Sequence, residues 1–501
     1  GGGAQLTESL KNPGLFNGPT PTELASITSA AKLDDWIKNQ VFQVHAQPAA
    51  LTNAIAALGL DTPSANWGIN ELTFKRILKA TWHPNQLEQR MANFWRVLLN
   101  TSHGRTTQAL GQQNGPLVEW QQYEDFRANA LGDFRDLLQI SIDCVSMRLF
   151  LDLHINNNLS APNENYAREL LELHTMGVEE AGVPNYTDND IKLLGQALVG
   201  LGFNQATATP TTTLQSPTPP AVTLFSTIPH VVNLTLQPSN NPAIKAGLVL
   251  DHLASQRQTA LYICRRLIME FVTDEEADFA TPEIQALLAT CMSKWGTRGN
   301  IREVLNALFK EKVFRTEKKY RRNKIEQPSD SVASGLRAVG SPIPPSATTT
   351  EITNLTTGLT ILRNRLNAMG QELFLFPSPD GYPLSSYQQA GSSRARLRYQ
   401  TAAEQTNASI PTIFYPLPHV FVAGPGVMAN LSDPNDIVLK VFNHLYPNDS
   451  TINDRRRALL YLVTDINGAP SGYSTASPAE QRARIARMTA YVTGMTQAFI
   501  K

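Results

Sequence analysis

The stretch Pro162-Asn163-Glu164-Asn165-Tyr166-Ala167-Arg168-Glu169-Leu170-Leu171-Glu172-Leu173-His174-Thr175-Met176-Gly177 carries the clearest structural message in this chain of 501 residues. Its apolar residues recur three and four positions apart, the period of an α-helix with one buried face, so a helix is expected from Asn163 to Met176. Set at about 100° per residue from Glu164, Arg168 falls about 40° away, Glu172 about 80°, Asn165 about 100° and Glu169 about 140°. Ala167, Leu170, Leu171 and Leu173 fill the remainder, and His174, at about 280°, lies on the apolar side.

The polar arc admits three readings. Glu164/Arg168 and Arg168/Glu172 stand at i, i+4 and would form ordinary surface ion pairs, worth about 0.2–0.5 kcal/mol each. The same residues could line a cleft, where carboxylates around Arg168 would orient a polar ligand, hold a hard cation or run acid/base chemistry. They could also form a buried ion network that fixes the fold. Asn163 and Asn165 join the arc as candidate binding residues. Asp152, in Phe150-Leu151-Asp152-Leu153-His154, ends the preceding helix, and a short connection would bring it near the first turns of the next.

Outward from this segment the same periodicity recurs. With Thr22 as N-cap, a helix is expected over Glu23 to Phe42, and further helices over Asn70–Thr81, Asn85–Thr101, Tyr123–His154 and Thr187–Leu201. From Asn204 to Pro242 the sequence becomes Thr- and Pro-rich, with β-prone Ala221–Ser226 and Val231–Leu236, and reads as an exposed insertion carrying a small hairpin. Helical periodicity resumes from Ala243 to Lys312 and continues at Asp330–Val339 and Ile352–Met369. After a Pro/Gly/Ser loop, Phe374–Ser386, and an irregular stretch, Asn407–Asn435, the last helices are expected at Asp436–Leu445, Asp454–Val463 and Pro478–Ile500. The fold class is therefore mainly α, a large multi-helix globular domain with a small β-hairpin insertion. The expected organisation is an N-terminal helical region, 1–203, carrying the signature helix; the insertion, 204–242; a second helical region, 243–406, packed on the first; and 407–501, irregular and then helical.

Composition narrows the function classes. Basic and acidic residues balance at 43 each, so no global field favours nucleic acid. The basic run Arg315, Lys318, Lys319, Arg321, Arg322 and Lys324 beside Tyr320 reads as a solvated patch. No apolar run approaches the about 18 residues that span a bilayer. Charged residues are 17% of the chain, below the roughly 25% usual in soluble domains, while Asn, Thr, Ser, Gln and Pro are plentiful, which points to export. The Gly-Gly-Gly-Ala start fits a processed or trimmed N-terminus. Cys144, Cys264 and Cys291 read as buried free thiols. There is no Walker loop, Gly-x-Gly-x-x-Gly, Gly-x-Ser-x-Gly, His-Glu-x-x-His or Cys-x-x-Cys, and no two histidines stand at i, i+4. No metal ligand or cofactor is assigned.

These blocks resemble a bacterial family called domain of unknown function 1800. The signature runs from Pro162 through Glu172, Thr175 and Gly177 to Tyr186-Thr187 and Asp190. Further similar blocks are Arg127 with Ala130 to Leu138, Phe150-Leu151-Asp152, Arg265-Arg266-Leu267 with Phe271-Val272, and Met369-Gly370-Gln371 leading to Pro377 and Pro379-Asp380-Gly381-Tyr382-Pro383. The chain departs from that pattern after Phe94-Trp95, where relatives often carry histidines and here stand Arg96, Val97, Leu98 and Leu99. It departs again where a His-Asp-Gly-x-Lys stretch is replaced by His230-Val231-Val232 and the insertion.

The resemblance implies an exported, mostly helical protein, often encoded beside a second exported family, domain of unknown function 1501, with no established reaction. The expected role is thus an extracytoplasmic assembly or binding component with an exported partner, from that second family or another copy of itself. The alternative is a hydrolase or metal-assisted enzyme on a polar exported substrate such as a glycan, built on Glu164, Arg168, Glu169, Glu172 and Asp152.

Overall fold

Helices begin where a side-chain oxygen can take up the free backbone N–H groups of a first turn. Ser29 accepts from the Lys32 amide, Asn85 from Glu88, Asn241 from Ala243 and Ile244, and Asn300 from Glu303. Thr187 with Asp190 and Thr348 with Glu351 close reciprocal capping boxes. The computed structural model describes residues 20–64, 66–315, 320, 325–338, 342–383, 433–445, 451–465 and 467–493.

The expected class holds: the fold is mainly α, with three small two-stranded antiparallel sheets among the described residues. Helices Ile69–Trp82, Gln86–Leu98, Asp188–Ala197, Pro328–Ala338 and Thr349–Ala368 lie close to their sequence-predicted bounds. Differences have local causes. The first predicted helix is two, Pro21–Ser26 and Ala30–Phe42, because Thr20 rather than Thr22 caps the first and Ser29 starts the second. Helix His103–Ala128 went unread over its first half because Gly111 sits at φ 76° and Pro116 lies inside it. What reads as one helix to His154 is Phe134–Asp143, Val145–Phe150 and a 3-10 turn, Leu153–Ile155.

In segment 204–242 the expected hairpin pairs Val222–Leu224 with Leu234–Leu236, and a second, unforeseen one pairs Leu201–Asn204 with Thr209–Thr212. The Thr-rich hairpin is exposed, but Leu224, Phe225, Val231 and Leu236 are buried in the main core. The tie is explicit: Asp190, the capping carboxylate, also accepts from the Phe225 amide at 2.6 Å.

That main core runs from Ile27 to Tyr382 and includes Trp95, Phe134, Tyr166, Leu170 and Trp295. A second core gathers Trp67, Leu78, Trp120, Leu336, Leu359 and Phe374. The last three helices, Pro434–Leu445, Ile452–Val463 and Pro478–Thr493, build a third. Fully buried Arg90 links the first two by pairing with Glu270 and, at 3.2 Å, with Asp330. All three cysteines are free thiols. No described helix is long and apolar enough to cross a membrane.

Candidate functional site

The signature helix starts as expected and then changes character. Asn163 Oδ1 accepts from the Asn165 amide at 3.0 Å and opens the first turn, and Asn165–Glu169 is α-helical. From Leu170 to Thr175 the helix is π. The Thr175 hydroxyl reaches back five residues to the Leu170 carbonyl at 2.6 Å, and the Met176 amide reaches Leu171 at 3.0 Å. A π turn holds one residue more than an α turn and recurs at functional sites. Gly177, at φ 73°, ends the helix; a Cβ there would lie 2.9 Å from Tyr262, so only glycine lets that ring pack against the turn.

The π turn rearranges the polar arc. Arg168 pairs with Glu164 at 3.9 Å and with Asp188 at 3.6 Å, but the expected Arg168/Glu172 pair does not form among the described residues. Widening after Glu169 carries Glu172 out of the i+4 position, and its carboxylate accepts from the Tyr186 hydroxyl at 3.2 Å. Tyr166, Ala167, Leu170 and Leu171 are fully buried behind the arc. Glu164 and Arg168 keep side-chain exposures of 37% and 42%, so the arc is a half-open face and not a buried ion network.

A fourth carboxylate joins from far along the chain. Burial raises the Glu169 pKa above its ordinary value, and the charges of Glu172 and Asp380 raise it further, with Arg168 opposing. Burial likewise raises the Tyr262 pKa, Glu172 and Asp380 adding to it, while the Arg266 guanidinium donates to the Tyr262 hydroxyl and opposes. Asp380 is placed by Gly381, at φ 73°, where a Cβ would stand 2.1 Å from the Val97 carbonyl. Beneath the face, His174 is fully buried, neither ring nitrogen has a hydrogen-bond partner, and burial followed by Arg266 lowers its pKa to about 3.

The structure thus brings Glu164, Arg168, Glu169 and Glu172 to one face and adds Asp380, Tyr186 and Tyr262. Asp152 is engaged elsewhere: at φ 58° it pairs with Arg105 at 2.7 Å. Asn163 serves the helix start, its amide donating to Asn156, and Asn165 is exposed. Of the basic run, Arg315 pairs with Asp34 at 2.6 Å; Lys318, Lys319, Arg321, Arg322 and Lys324 lie outside the described residues. At the two places where the sequence departs from the family pattern, Arg96 is buried and pairs with Glu119 at 2.9 Å, and His230 contacts Asn185 at 2.9 Å. Among the described residues no three His, Cys, Asp or Glu side chains gather closely enough to hold a metal ion.

The one cue to Asp380 in the sequence was its block, Pro379-Asp380-Gly381-Tyr382-Pro383; nothing in local periodicity connects it to residue 169. The chain belongs to the family described as Protein of unknown function (DUF1800), which matches residues 15–495. No curated protein and no solved structure matches it.

Proposed function

We propose that this member of the family is a binding or assembly component working outside the cytoplasm, and that the acidic side of the signature helix is its docking surface. One observation carries the reading. Burial raises the proton affinity of Glu169, and Glu172 and Asp380 stand close enough to raise it further, while the neighbouring cation, Arg168, is already paired with Glu164 and Asp188. The face therefore holds a local excess of negative charge beside two tyrosines, which suits a cationic or hydroxyl-rich partner. The expected partner is an exported protein, of the domain of unknown function 1501 family or a second copy of this chain. Glu169→Gln combined with Glu172→Gln is expected to weaken capture of that partner at least tenfold. Undiminished capture by the double variant contradicts the reading.

A second reading rests on the same carboxyl. A half-buried glutamic acid with raised pKa beside a second carboxylate is the pairing of a proton donor with a base, which fits hydrolysis of a polar substrate such as a glycan. Glu169→Gln separates the two: loss of turnover at unchanged melting temperature supports the hydrolase, and absence of any turnover by the wild type removes it.

A further inference from the structure

Helix Ile69–Trp82 is buried from Leu72 to its end, charges included: Lys75, Arg76 and Lys79 are 6%, 2% and 7% exposed. Two of these cations have visible compensation. Lys79 pairs with Glu124 at 2.8 Å, and the Lys75 ammonium lies over the rings of Trp120 and Trp67, 4.6 and 4.9 Å from their centroids. Among the described residues Arg76 has no such compensation. Its Nε and Nη2 are buried without a hydrogen-bond partner, no carboxylate pairs with it among the described residues, and the ring of Tyr123 faces it only at 5.9 Å.

A buried lysine can shed its proton, but a guanidinium stays charged at any pH a protein tolerates, so a buried arginine needs an anion. Arg76 lines a cavity of about 30 Å³ together with Arg96, Asn93, Asn100, Phe374 and Tyr382. Arg96 is the second guanidinium. Its Nη groups donate to Asn100, the Thr101 carbonyl and Glu119, and its Nε has no partner. Among the described residues Glu119 is the one buried carboxylate paired with this cationic couple. Glu372 also lines the cavity but is exposed, so water screens its charge. Two fixed positive charges against one buried negative charge leave the cavity short of an anion, and its volume exceeds what a single water requires.

We infer that this cavity is a binding site for a small oxyanion, a carboxylate or phosphate group, seated on Arg76 with Arg96 beside it. Guanidinium groups match the oxygens of both in geometry as well as charge. The site is separate from the acidic face and opposite in sign. The two share one segment: Phe374, Phe376 and Tyr382 wall the cavity, and Asp380 between them belongs to the acidic face.

The test is thermal melting of the full-length chain titrated with inorganic phosphate and, separately, with acetate, at ionic strength held constant with potassium chloride. The wild type is expected to show a saturable rise in Tm of about 2–3 °C at a hundredfold excess over Kd. A response to phosphate alone assigns a phosphoryl group, and a response to acetate a carboxylate; either supports the site. Arg76→Met, which keeps the straight chain and removes the charge, is expected to fold with an undiminished Tm in buffer without phosphate or acetate and to lose the response. Should that variant fail to fold, Arg76→Lys, which keeps the charge and loses the fork, is expected to need at least tenfold more anion. The inference is overturned if neither anion raises the wild-type Tm, or if the substituted protein responds as the wild type does.

Discussion

The acidic face of the signature helix and the buried cations of helices Ile69–Trp82 and Gln86–Leu98 use the same residue types to opposite ends. On the face, Glu164 and Arg168 keep over a third of their side-chain surface in water and meet at 3.9 Å, so their attraction is screened and adds little to stability. In the interior, Arg96 and Glu119 meet at 2.9 Å with almost no exposure, where removing either partner strands the other in a low dielectric. A charge that costs the fold little can be spared for a partner, whereas a buried charge is fixed by what surrounds it.

The widest gap is expected between matched substitutions in the two regions. Glu119→Leu leaves Arg96 without its acid and should cost about 3–5 kcal/mol in denaturant unfolding; a cost comparable to that of a surface pair would erase the distinction. Next comes Gly381→Ala. Its Cβ would collide with the Val97 carbonyl at 2.1 Å from a left-handed backbone, and a loss of about 1–3 kcal/mol is expected, together with displacement of Asp380 from Glu169. An unchanged Tm would show that this segment does not hold the face together.

His174, beneath the face and fully buried, sets an acid limit. Burial, with Arg266 adding, lowers its pKa from 6.5 to about 3. Below pH 6.5 the unfolded chain takes up a proton that the folded ring refuses. Stability from this group is therefore complete above that pH and lost progressively down to pH 3, by about 1.4 kcal/mol per pH unit at most. His174→Leu should flatten the fall of Tm between pH 6 and pH 4; an identical pH profile would mean that the ring takes up a proton in the fold. The smallest effect belongs to the face itself: Arg168→Gln should change stability by about 0.5 kcal/mol or less, and a larger loss would make Arg168 a structural residue.

The face was legible in the sequence because helical periodicity is local. The spacing of Glu164, Arg168, Glu169 and Glu172 placed them together, and behind them Leu170 and Leu171 are buried as expected, with Leu173 partly so. The π turn was not legible, since it depends on how Leu170–Thr175 packs and not on spacing, and it cost the Arg168/Glu172 pair. Asp380 was out of reach because its neighbours on the face lie some two hundred residues earlier in the chain, and only tertiary packing joins them. Asp152 failed for a related reason: a short loop makes two helices neighbours but does not aim a side chain, and Arg105 holds this one. Arg76 was hidden most deeply. A cation in a helical pattern reads as solvent-facing, and only burial on every side reveals that it lacks an anion.

Isolation of the full-length chain from its source, with and without the substitutions Glu169→Gln, Glu172→Gln and Asp380→Asn, tests the docking surface most directly. The wild type is expected to come with an exported partner or as a defined oligomer, and the triple variant to lose that association while its Tm stays within about 2 °C. A strictly monomeric wild type with no associated protein, or a triple variant that keeps the complex, would contradict it.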